Sequence, residues 1–350
     1  MRLPFLKLRY LVSFISVTII FISCDNNKIK DSDQYYADAN IVKETNRLEL
    51  LADSVEKDPN NVQLWIEIGE LCKEDLNFKC ALDAGARAYI LDSTNIEARK
   101  LYAWSLINKP NPPLEDIENS KKHYKYVLSV KPKDPAVMVE LANTYSLTGD
   151  FKTAIKYIND ALKIDEEYRD AYVLKGSIYK TTEKLDLALS SYQTAVQLDP
   201  DFFIGHLQIG WLLTEMGNHK LALEYYENAS ELKPENLNAA YGIAKSQQDL
   251  GKFDEALKGY RELLEIDSTA YVAYFNQGYI KHYHQSELDS AIYYYNELLD
   301  VEPEYIHGWY QLGEAYYSKG READAARAFS KALRIDENYQ PAIDASQKLR

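Results

Sequence analysis

Few side chains in this chain could do chemistry by type and spacing: three cysteines, six histidines and a large stock of carboxylates. His282 and His284 form a close histidine pair, but a spacing of two sends them to different sides of a helix, unlike the i, i+4 spacing that brings two imidazoles to one metal. The sequence holds no Gly-rich phosphate loop, two-histidine zinc helix, calcium loop or Cys-x-x-Cys pair. Its carboxylates fall at places read as exposed or at helix starts such as Asp254 and Glu255, where they complement the helix dipole. No two of them stand out as acid and base, so the expectation is no catalytic residue, no metal and no cofactor. Cys72 and Cys80 have two readings: a bond across a turn in an oxidising compartment, or two small buried apolar side chains at helix-packing places.

The elements that would position such residues are read from apolar spacing. In DLALSSYQTAVQLDP, residues 186–200, Ala188, Tyr192, Ala195 and Pro200 stand at steps of four, three and five. Steps of three and four keep side chains on one helix face, and the proline marks the stop. The same stripe returns 34 residues later as Ala222, Tyr226, Ala229 and Pro234. An earlier half-unit precedes each stripe: Tyr172, Gly176 and Tyr179 before Ala188, and Trp309, Leu312, Gly313 and Tyr316 before Ala325. Each unit is expected to be two helices whose backbones approach closely at Gly176 and Ala188, with aromatics filling the gaps beside them.

This pattern resembles the tetratricopeptide repeat in its period and in its Trp/Leu/Gly/Tyr, Ala/Phe, Ala and Pro places. The resemblance covers most of the chain and implies an all-α, right-handed superhelical solenoid. Eight repeats are expected, at 62–95, 96–134, 135–168, 169–202, 203–236, 237–270, 271–305 and 306–339. A capping helix at 41–61 carries Leu48, Leu51 and Val55 on one face, and a second at 340–350 opens with Pro341. Some places depart from the pattern: Gly85 replaces an aromatic, Leu263 and Leu298 replace the second alanine, and Ser93, Glu166, Ser268 and Glu337 replace the proline. Two insertions break the period. Five residues enter within 108–120, where prolines confine them to a loop that is either a tolerated surface insertion or a hinge or partner contact; one more enters at Gln285 or a neighbour.

Residues 1–23 differ in kind. Arg2, Lys7 and Arg9 lead into an uncharged stretch of about 14 residues, too short to span a bilayer comfortably, which reads as a secretion signal. Phe21, Ile22, Ser23 and Cys24 resemble the bacterial lipoprotein box, which implies that Cys24 is lipidated and heads the mature chain, although Phe21 stands where leucine is usual. Residues 24–40 are polar and read as a disordered tether. Asp25 resembles the inner-membrane retention signal of enteric bacteria, a rule that other lineages do not share. The expectation is a lipid anchor in a bacterial envelope, at the outer membrane ahead of the inner, with the leaflet left open. Asp-Ser/Thr-aliphatic triplets at Ser54, Ser93, Ser268 and Ser290 resemble a glycosylation sequon of Bacteroidetes envelope proteins.

Removal of the leader takes the formal charge from −14 to −17, which argues against nucleic acid and for partners with basic patches. The resemblance implies that the first helix of each unit lines a concave wall. Its fifth place reads Val139, Val173, Leu207, Tyr241, Phe275 and Tyr310, and its ninth Asn143, Ser177, Trp211, Lys245, Tyr279 and Glu314. Leu207, Trp211, Tyr241, Lys245, Phe275, Tyr279, Tyr310 and Glu314 are therefore the candidate groove, with Ile204, Val272, His282, Tyr283, His307 and Tyr317 beside them. The wall lacks the Lys/Asn/Arg set that clamps a chain-terminal carboxylate, since Lys100, Asn143, Lys245 and Asn276 are scattered. The expected function is a scaffold that grips an apolar peptide or helix of another envelope protein; the alternatives are an adaptor for peptidoglycan enzymes, or a glycan-binding or enzymatic protein using Trp211, Tyr279, Glu215 and Glu314. A second account of the aromatics is that they stack on one another between adjacent repeats.

Overall fold

The computed structural model describes residues 47–349. The expected secretion signal, the expected lipidation site Cys24, the expected tether and residues 41–46 of the expected first cap lie outside the described residues. All regular structure among the described residues is helical. Helix α1 covers 47–57, and seven pairs follow: α2 Val62–Glu74 with α3 Phe78–Leu91, α4 Ile96–Ile107 with α5 Leu114–Val130, α6 Pro135–Leu147 with α7 Phe151–Leu162, α8 Arg169–Thr181 with α9 Leu185–Leu198, α10 Phe203–Glu215 with α11 His219–Leu232, α12 Leu237–Asp249 with α13 Phe253–Ile266, and α14 Tyr271–Tyr279 with α15 Leu288–Val301. An eighth pair, α16 Ile306–Ser318 with α17 Glu322–Ile335, precedes α18 Gln340–Lys348.

Six of the eight described pairs are closed by the same backbone chemistry; α4–α5 lacks it, and in α14–α15 the return bond, Glu287 N–H to Lys281 C=O, spans six residues. The first helix ends on a left-handed residue, Gly217 at φ 75° in α10, and Asn218 N–H returns to Leu213 C=O, satisfying carbonyls that the helix end would otherwise orphan. The Asn218 side chain then accepts from Leu221 N–H and starts α11. Between units, the four places that lack proline share a substitute. Asp92, Asp165, Asp267 and Asp336 each accept the N–H two residues on, at 2.8–3.0 Å, so an aspartate turn ends the helix where proline does elsewhere.

Packing within a pair is glycine against ring. A Cβ on Gly176 would stand 2.7 Å from the Tyr192 ring, one on Gly278 2.6 Å from Tyr295, and one on Gly313 2.4 Å from Phe329. The glycines are therefore seats for rings, and these rings are at most 3% exposed. Both ends of the array bury an apolar face: Val55 joins Ile68 and Ala84 with Leu48 and Leu51 alongside, and Ala342 and Ala345 of α18 join Phe329. Among helices two apart in order, the close contacts run between first helices, as in α2 with α4 and α10 with α12. An inner arc is shorter than an outer one, so the first helices form the inner layer.

The two insertions differ in form, and the first departs from the loop expected over 108–120. Only 108–113 is loop; α5 opens at Leu114 and runs 17 residues against 14 in α9, so the second insertion product is a longer helix. Pro113 at the helix start is compatible with this because its missing N–H would have no helical partner there. The single extra residue of the seventh unit enters the first helix itself, as a π turn over Ile280–His284 in which Gln285 N–H reaches Ile280 C=O at 3.1 Å.

Candidate functional site

The inner wall is built by α10, α12, α14 with its π turn, and α16. Leu207 is corrected from groove to core: it is 2% exposed and packs with Ile209, Leu212 and Tyr226 between helices, so it offers a partner no area. Trp211 is half-buried against the same core. Tyr241 lies 6.3 Å from Tyr260, and burial pushes its hydroxyl above the ordinary range. Lys245 pairs with Asp249, which also lies 3.4 Å from His219 Nδ1. Lys100 pairs with Glu97 at 3.1 Å, and Asn276, 7% exposed, donates to Val272 C=O. These groups are thus engaged within the chain.

The aromatics divide into packed and presented. Phe275 meets Tyr305 edge-on at 5.7 Å and Tyr295 at 6.2 Å, and Tyr310 lies 5.9 Å from both Phe329 and Tyr339, so both rings stack between helices. Tyr283 and Tyr317 remain 46% and 44% exposed, with Ile204 at 47%. Tyr279 bridges the two sets, half-buried with its ring 4.8 Å from Tyr283. His282, expected beside the groove, is 7% exposed and sits 3.1 Å from Ser318 Oγ of the next first helix; burial lowers its pKa. His284 stacks on Phe253 at 4.1 Å, so the histidine pair faces opposite neighbours. Tyr283 Oη donates to Gln311 Oε1 at 2.8 Å, an inter-repeat tie that the sequence offers no signal for, because it depends on where the π turn aims the ring.

Glu314 is half-buried, and burial raises its pKa, with the Lys348 charge opposing. Its charge is felt by both Tyr283 and Tyr310, whose hydroxyls are raised chiefly by burial, that of Tyr283 to about 12. Among the described residues no group of three His, Cys, Asp or Glu converges as a metal site. No helix among them is long and apolar enough to cross a membrane.

Away from the wall, Cys72 and Cys80 are joined as a disulfide with Cα atoms 5.7 Å apart, within the ordinary range for such a bond. The four serines differ in setting. Ser93 and Ser268 are exposed on the aspartate turns, whereas Ser54 donates to Leu50 C=O and Ser290 to Glu287.

Paired helices stacked in one direction, with an inner layer of first helices, define an all-helical solenoid. Tetratricopeptide repeat models match residues 135–168, 170–202, 213–275 and 306–339, so the chain carries tetratricopeptide repeats over those segments. No curated protein matches the sequence. Solved structures share the fold. The C-terminal part of a TPR repeat-containing protein from Cytophaga hutchinsonii aligns at TM-score 0.57 and 20% identity, covering 66% of this chain and 94% of that one. A tetratricopeptide repeat protein from Parabacteroides merdae aligns at 0.51 and 15%, covering 73% and 98%. PilW, a widely conserved type IV pilus biogenesis factor, aligns at 0.51 and 19%, covering 61% and 97%.

Proposed function

We propose that this protein is a lipid-anchored scaffold of a bacterial cell envelope that grips a segment of another envelope protein along the α10–α16 wall, in the assembly of an envelope complex. The observation that carries the reading is the row of side chains left uncovered on first helices, Ile204, Tyr283 and Tyr317, each 44–47% exposed beside the half-buried Trp211 and Tyr279. Large apolar surface of this kind binds through a few aromatic anchors. The lipid would be carried on Cys24, and residues 25–40 would let the solenoid stand clear of the bilayer. The acidic balance suits partners with basic patches.

The test is crosslinking of the native lipoprotein in intact cells, with captured proteins identified by mass spectrometry, beside a Trp211→Ala, Tyr279→Ala, Tyr283→Ala variant whose circular dichroism matches the wild type. Loss of a defined envelope protein from the variant is the expected result. Captures that are identical in both would place the contact elsewhere and defeat the reading.

A further inference from the structure

The wall has one place that an apolar segment alone fits badly. Glu314 sits one helical turn from Tyr310 on α16, and Tyr283 reaches the same helix through Gln311, three residues before Glu314. The Tyr283 ring is fixed at both ends, by that hydroxyl and by Tyr279 at 4.8 Å, while it stays 46% exposed. Among the described residues Glu314 makes no ion pair: the Lys348 charge on α18 is felt there without pairing, while Lys281 holds Glu287 at 2.9 Å and Lys319 holds Asp289. An apolar side chain laid here would desolvate the carboxylate with only the unpaired Lys348 charge to oppose the cost. A cation would pair with it and lie against ring faces.

The helix that presents Tyr283 also breaks local rules. It carries the π turn, and beside that turn Gln277 is fully buried with neither amide atom hydrogen-bonded, as is the Tyr295 hydroxyl. In the preceding units the matching tyrosines are satisfied, Tyr260 by Gln248 at 2.9 Å and Tyr226 beside Thr214 at 3.3 Å. Local inconsistency of this sort concentrates where a fold serves a site.

Building on the groove reading above, we propose that Glu314, Tyr283 and Tyr310 form a seat for one cationic side chain of the bound segment, arginine before lysine. A guanidinium is planar, so it stacks on a ring while its edge meets the carboxylate; an ammonium does only one of these well.

The test uses the full-length protein in detergent and short random peptides selected by display. Selected peptides are expected to share one arginine whose replacement by citrulline, neutral and nearly isosteric, weakens binding about tenfold, as loss of one charge-assisted pair should. On Glu314→Gln, checked for an unchanged melting curve, the same replacement should cost little; Tyr283→Leu serves as a second variant with reduced discrimination. Binders that depend on Trp211 and Tyr279 but share no cation, or whose citrulline penalty survives both substitutions, would overturn the seat and leave the groove. Binders indifferent to every wall residue, or no binders, would overturn both.

Discussion

Replacing Gly278 with alanine tests whether ring-on-glycine seating sets the inner wall. The new methyl would lie 2.6, 2.8 and 3.1 Å from three Tyr295 ring carbons, about 1 Å inside ordinary carbon contact. Tyr295 is fully buried among Leu298, Leu299 and Leu312, so the ring cannot retreat without moving the helices. Such overpacking costs about 1–3 kcal/mol, against a gain of about 1 kcal/mol from the better helix propensity of alanine. The net expectation is destabilisation by roughly 0–2 kcal/mol in the wild type. In a Tyr295→Leu background the obstacle is gone, and the same change should stabilise by about 0.5–1 kcal/mol. Urea titration followed by circular dichroism and by fluorescence of Trp309, which packs against this cluster, reads both backgrounds. Repeat arrays unfold by neighbouring units, so the local probe is needed beside the global one. A Gly278→Ala variant more stable than the wild type, or one with the same sign in both backgrounds, would refute the seating argument.

Other expectations concern the remainder of the molecule. Reducing the Cys72–Cys80 bond, which closes a sequence separation of 8, should lower the stability of the first unit by about 2 kcal/mol while later units melt unchanged, as read by hydrogen exchange. His123 is held near a pKa of about 4 by burial and then by Arg99 and Lys122. Its folded pKa is depressed, so the unfolded chain binds more protons between pH 4 and 6.5. Stability is thus lost as pH falls through that window, and His123→Gln should flatten the melting temperature there. Glycan mass in the native host is expected at Ser93 and Ser268 and not at Ser54 or Ser290, whose hydroxyls are engaged; peptide mass spectrometry reads this directly. Cys24→Ser should move the protein from the membrane to the soluble fraction on cell fractionation, and a membrane-bound Cys24→Ser protein would contradict lipid anchoring.

The period and the helix pairing were legible in the residues themselves, but not the partner of the glycine: Gly176 receives the Tyr192 ring rather than a second backbone, although Gly176 and Tyr192, like Gly313 and Phe329, lie only 16 residues apart within one unit. Short-range sterics decide such contacts, and turn chemistry decides the stops: Asp92 and Asp267 end their helices through the next few residues alone. An extra residue near Gln285 was countable, but not its conformation, since a loop and a π turn have the same length in sequence. Exposure was least legible. Whether a first-helix side chain is wall or core depends on residues well outside its own helix: Leu207 is closed off in a cluster that runs from Ala188 to Ala239, His282 by Ser318 at a separation of 36, and Phe275 by Tyr305 at a separation of 30. Repetition in the sequence thus specified the unit and its pairing; the stacking of one unit on the next decided which aromatics hold the array together and which remain to meet a partner.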